Sequence, residues 1–70
     1  MKLIERNELT EIWETAKGDT IGICANNAYG ERTLKRYYNI VVRKAGEKYG
    51  KTVKTRCTYE KAMQIVAEYE

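Results

Sequence analysis

The chain predicts an α+β domain of order α-β-β-β-α, a three-stranded antiparallel sheet with two helices packed on one face. Apolar residues recur at helical spacing near both ends, whereas between Asp19 and Cys57 they alternate with period two. The segments between these blocks carry Gly, Asn and Lys, and the chain has no proline. With 70 residues, the span 1–70 reads as one domain, near the lower size at which a single core holds without a metal or disulfide staple. A hydrophobic fraction of 43% with visible periodicity argues for a folded module although 33% of residues are charged.

The first helix is expected from Asn7, a side chain suited to capping, with Glu8 in the first turn where the helix dipole favours an acid. Leu9, Ile12, Trp13 and Ala16 then form one apolar stripe, and Lys17-Gly18 supplies a stop. Trp13 is expected to anchor the core.

From Asp19 the alternation sends Ile21, Ile23 and Ala25 to one side and Thr20, Gly22, Cys24 and Asn26 to the other. The run Asn26 to Glu31 holds turn formers, with Gly30 able to take a positive φ. A second strand follows from about Thr33 to Lys44, with Leu34, Tyr38, Ile40 and Val42 inward. After a Gly46-to-Gly50 loop, a third strand from Lys51 to Cys57 is expected to turn Val53, Thr55 and Cys57 inward and Thr52, Lys54 and Arg56 outward.

Thr58 caps the last helix, with Glu60 in its first turn. Tyr59, Ala62, Ile65, Val66 and Tyr69 trace its buried stripe, with Met63 at the margin.

The chemistry of the chain points away from catalysis. It has neither His nor Ser, which removes the common nucleophile and base pairs. Glu5, Glu8, Glu11 and Glu14 read as a solvated helix face. Glycine-rich phosphate loops are missing, so no cofactor and no small-molecule substrate are expected. Cys24 and Cys57 lack metal or redox spacing and fall on opposite faces, so both read as plain thiols and no metal site is expected. No apolar run reaches the roughly 18 residues of a membrane span, and no secretory leader is visible, which makes a cytoplasmic location the expectation.

Charge is the strongest functional signal. From Asp19 to Cys57 there are nine Lys/Arg against three acids, while the flanks are net acidic. A basic sheet between acidic helices implies a positive face, suited to nucleic acid or an acidic protein. The candidate nucleic-acid-binding residues are Lys35, Tyr37, Asn39, Arg43, Lys54 and Arg56, with Thr52 and Asn26 beside them. Arg reads guanine edges or phosphates, Asn pairs with adenine, Lys supplies phosphate charge and Tyr stacks. A merely solvated outer face, kept polar because one side of the sheet is wet, stands beside this.

The segment from Tyr37 to Glu70 resembles the arm-site DNA-binding domains at the N-termini of tyrosine recombinases of phages and conjugative transposons. Tyr38, Ile40, Val42 and Arg43 match a strand of that family, Gly50-Lys51 its turn, Lys54 and Arg56 its basic strand, and Thr58 with Ala62 its helix start. The resemblance implies insertion of a three-stranded sheet into the major groove of duplex DNA by a non-enzymatic module. The aromatic that usually precedes the family's helix is replaced around Arg56-Cys57, and the Trp13 segment is additional. A second expectation, of a different class, is a small phage or mobile-element protein that binds and inhibits a host protein, for example a nucleic-acid-handling defence enzyme.

Overall fold

A computed structural model of the chain describes residues 1–26 and 37–69. Among the described residues, five strands and one helix follow in order: β1 (Lys2–Arg6), β2 (Thr10–Glu14), β3 (Thr20–Asn26), β4 (Tyr37–Arg43), β5 (Lys51–Cys57) and α1 (Tyr59–Glu68). The strands form one antiparallel sheet in the order β1-β2-β3-β4-β5. The expected three-stranded sheet with two helices is therefore corrected, among the described residues, to a five-stranded meander with one C-terminal helix.

The helix expected over Asn7 to Lys17 is replaced by the β1–β2 turn, β2 and the β2–β3 turn. Asn7 does cap, as the sequence suggests, but it caps a hairpin. Its Oδ1 accepts from the backbone N–H of Leu9 and of Thr10, both at 2.9 Å, while its own N–H donates to the Thr10 carbonyl. Those are the same i+2 and i+3 bonds that an N-cap makes, so the local chemistry does not separate the two structures. Pairing decides: as a strand, the β-branched and aromatic run Thr10–Glu14 hydrogen-bonds β1 on one side and β3 on the other. Gly18, read as a helix stop, instead takes φ +89° in the Thr15–Asp19 turn, donating to the Thr15 carbonyl at 3.0 Å.

Directly opposed residues share a face of an antiparallel sheet, so the register defines two sides. On the helix side lie Glu11 and Trp13 of β2, Ile21 and Ile23 of β3, Tyr38, Ile40 and Val42 of β4, and Cys57 of β5. α1 covers this side with buried Ala62 and Val66, and with Met63, Ile65 and Tyr69 at the margin. Thr58 caps it as expected, its Oγ1 accepting from Lys61 N–H at 3.3 Å. Ile21, Ile23, Ile40 and Val66 are fully buried, each contributing about 1.5–3 kcal/mol.

The inward phase of β3 and β4 agrees with the alternation, but β5 departs from it. Val53 is 45% exposed and Thr55 is exposed, leaving Cys57 as the buried residue of that strand. The register slips at two places. Between Ile40 and Val41, β5 carries the extra residue Val53; opposite Asn39 it carries both Thr55 and Arg56. Two bulges in seven residues break the period on which the expected phase rests. The expected Asn26–Glu31 turn and the strand start at Thr33, including Leu34, lie largely outside the described residues.

A carboxylate ties the sheet to the helix. Glu11 accepts from the Tyr59 hydroxyl at 2.7 Å, from the Trp13 indole N–H at 2.9 Å and from Arg6 Nε at 3.3 Å, with its side chain only 13% exposed. Burial pushes its pKa up, but the Tyr59 and Trp13 hydrogen bonds and the Arg6 charge outweigh that and hold it below the usual carboxylate range. The Tyr59 hydroxyl is raised in turn, first by its bond to Glu11 and then by burial. Tyr59 also meets Tyr38 edge-on, with ring centroids 5.6 Å apart. Among the described residues no helix is long and apolar enough to cross a membrane.

Candidate nucleic-acid interface

In a meander, neighbours in sequence are neighbours in space, so segregation of charge along the chain becomes segregation across the sheet. The span from Lys2 to Glu14, forming one edge, carries Glu5, Glu8, Glu11 and Glu14 against Lys2 and Arg6. The opposite edge is the β4–β5 hairpin, where Arg43, Lys44, Lys48, Lys51, Lys54 and Arg56 stand against Glu47 alone. Four interstrand steps, roughly 19 Å, separate the edge strands. The positive region is thus an edge rather than a face.

Every residue from Arg43 to Arg56 is exposed. The loop at the hairpin's end is held by a few contacts. The Glu47 N–H donates to the Lys44 carbonyl at 3.0 Å, Gly46 takes φ +85°, and the Ala45 N–H donates to Asp19 Oδ1 at 2.9 Å. Gly50 lies against Val41, where a Cβ would come within 2.7 Å of Val41 Cγ1, so any larger residue must displace that side chain. Tyr49 is 74% exposed, with the Lys48 ammonium 5.6 Å from its ring centroid. At the loop end of the hairpin, Lys44, Glu47 and Lys51 rim a shallow cleft of about 190 Å³ floored by Val42, Val53 and Tyr69.

The residues expected from the sequence do not gather on one plane. Tyr37, Asn39 and Arg43 do lie on the side away from the helix, opposite Asn26, Cys24 and Thr20 in the register. Tyr37 and Asn39 are half-buried, and Arg43 Nε donates to Thr20 Oγ1 at 3.4 Å. Lys54, expected beside them, is instead opposite buried Ile40. Arg56 sits in the second bulge with φ +52°, a conformation that few non-glycine residues adopt. Lys35 lies outside the described residues.

Lys44, Lys48 and Lys51 escaped the sequence-based set because that set followed strand alternation, and two of the three belong to the loop. The density of cations from Arg43 to Arg56, six against one acid, is the available signal. The β4–β5 hairpin contains no carboxylate pair. Among the described residues no group of three or more His, Cys, Asp or Glu is placed to hold a metal ion. Cys24 is half-buried on the side away from the helix, and Cys57 is buried beneath the helix. Burial raises the Cys57 thiol pKa against the opposing pull of Lys54 and Lys61, and its Sγ donates to the Tyr38 carbonyl at 3.4 Å.

No family model, curated protein or solved structure matches the chain.

Proposed function

We propose that the chain is a non-catalytic nucleic-acid-binding domain that grips the phosphates of duplex DNA with its β4–β5 hairpin. Support comes from the fourteen consecutive exposed residues, Arg43 to Arg56, with six cations and one acid. Cations gathered on a sheet edge and its loop suit DNA, since phosphate contacts supply most of the affinity and need no particular base sequence. Lys44, Lys48 and Lys51 at the tip act as phosphate contacts, and Lys54 and Arg56 extend the track along β5. Tyr49 offers a ring for stacking against a sugar or an unpaired base. Tyr37 and Asn39 stand apart from this track.

The acidic opposite edge orients the molecule, repelling DNA from β1 and β2 and presenting the hairpin first. A Lys44→Glu/Lys51→Glu double variant tests the proposal by fluorescence anisotropy on a labelled 20-base-pair duplex. The expected result is a loss of affinity of at least about thirtyfold with an unchanged melting curve, at more than about 1 kcal/mol per reversed phosphate contact. Unchanged affinity would refute the hairpin as the contact. Binding to an acidic host protein in nuclease-treated extract, with no affinity for duplex, would favour inhibition of a host protein.

A further inference from the structure

We infer that the sheet side opposite the helix is a self-complementary surface on which two copies of this chain pair about a twofold axis running along β3. The register lays out this side as three rows across β2, β3 and β4: Glu14, Thr20 and Arg43; then Ile12, Gly22 and Val41; then Thr10, Cys24 and Asn39. A twofold axis along β3 stacks the middle column on itself and lays the β2 column over the partner's β4 column. Glu14 then meets the partner's Arg43, Ile12 meets the partner's Val41, and Thr10 meets the partner's Asn39. Each match is chemically apt: opposite charges, two aliphatic groups, and a hydroxyl donor against an amide oxygen. The same axis repeats all three matches in the other direction.

Two features of the monomer indicate an occupant. Asn39 Oδ1 is buried within the chain and has no hydrogen-bond partner there, a costly state for a polar atom that a small rotation of the side chain toward the Thr10 hydroxyl of a second copy would relieve. Gly22 sits in the middle strand at a regular register on both sides, outside the positive-φ set. A Cβ there would meet only Cys24 Sγ and the Val41 carbonyl oxygen, each at 3.8 Å. Among the described residues nothing requires glycine at this position, and glycine weakens a strand interior. Its missing side chain leaves a trough of about 220 Å³ between Ile12 and Val41, where a second sheet can approach closely. Edge-to-edge association is opposed by the bulges in both edge strands, between Leu3 and Glu5 in β1 and at the two sites in β5.

Five strands at about 4.8 Å spacing and about 17 Å long give a flat footprint of roughly 400 Å² per copy, half that of a standard interface, so the pair is weak. Sedimentation equilibrium of the full chain without nucleic acid, from about 20 μM to 1 mM at low ionic strength, reads it separately from the DNA contact. The expected mass climbs from 8.2 kDa toward twice that value. Glu14→Arg and Arg43→Glu should each weaken association by about tenfold, and the two together should restore it to within about threefold. Gly22→Val, whose Cβ the monomer accommodates, should keep the melting curve and lose the dimer. A mass of 8.2 kDa at every concentration, a double variant no better than the single ones, or growth into open-ended species would each overturn the inference.

Discussion

The Glu11 cluster allows a stability prediction worked from the geometry. Glu11→Gln preserves the shape of the side chain but removes the charge from two bonds, to the Tyr59 hydroxyl and the Trp13 indole. A hydrogen bond to an ionised group contributes about twice as much as a neutral one, so roughly 1 kcal/mol is lost at each. The Arg6 side chain is 60% exposed, and its ion pair adds little. The sum, about 2 kcal/mol, lowers the melting temperature of a domain this small by about 10 °C. The pH dependence has a definite sign. Glu11 is held below the usual carboxylate range in the folded chain, so its contribution is complete above that range and drains away as pH falls through and below it. Circular-dichroism melts of both proteins from about pH 7 to pH 3 should show a gap that closes on acidification. A Glu11→Gln protein melting within about 2 °C of the parent at pH 7, or a gap independent of pH, would refute the cluster as the tie between sheet and helix.

At the alkaline end, the raised Tyr59 pKa makes the folded chain hold its proton longer than the unfolded one. Stability from this group is present below the ordinary tyrosine range and lost as pH rises through and beyond it, and a Tyr59→Phe variant should lack that loss. Gly50→Ala should destabilise by about 1–3 kcal/mol through overpacking, because its Cβ would press on Val41 Cγ1; a chemical-denaturation midpoint checks this. The two thiols should separate kinetically. Half-buried Cys24 should react with an aromatic disulfide reagent at pH 8 at least tenfold faster than Cys57, whose thiol is buried and raised in pKa; equal rates would count against the burial of Cys57.

The legible parts of the fold are those where one periodicity holds without competition. Ile21 and Ile23 on β3, Tyr38, Ile40 and Val42 on β4, and Thr58 opening α1 all stand where alternation or capping chemistry places them. The span from Asn7 to Lys17 reads as a helix for a physical reason. Asn7 offers its side-chain oxygen to the same two backbone donors in a hairpin turn as in an N-cap, and Leu9, Ile12, Trp13 and Ala16 satisfy a helical stripe by coincidence. In the fold, Ile12 and Trp13 point to opposite faces, and Leu9 is exposed in the turn. Pairing with β1 and β3, which the spacing of apolar residues within this segment does not encode, selects the strand. The candidate site was partly legible because segregation of charge is a property of the chain itself. Its conversion into an edge rather than a face depends on strand order, and the turning of Lys54 toward the helix side depends on bulges that leave no mark in composition. From the sequence Glu11 reads as a solvated acid, since nothing near it in sequence announces Tyr59 as its partner.

The salt dependence of duplex binding, measured for single Lys→Gln variants, tests most directly whether the basic edge of the meander is the contact surface. Each lysine that touches a phosphate contributes about 0.9 to the slope of log affinity against log salt. Lys44→Gln, Lys48→Gln and Lys51→Gln should each flatten that slope by nearly this amount, while Lys2→Gln, on the opposite edge strand, leaves it unchanged. Equal flattening by all four variants, or by none, would contradict an interface confined to the β4–β5 hairpin.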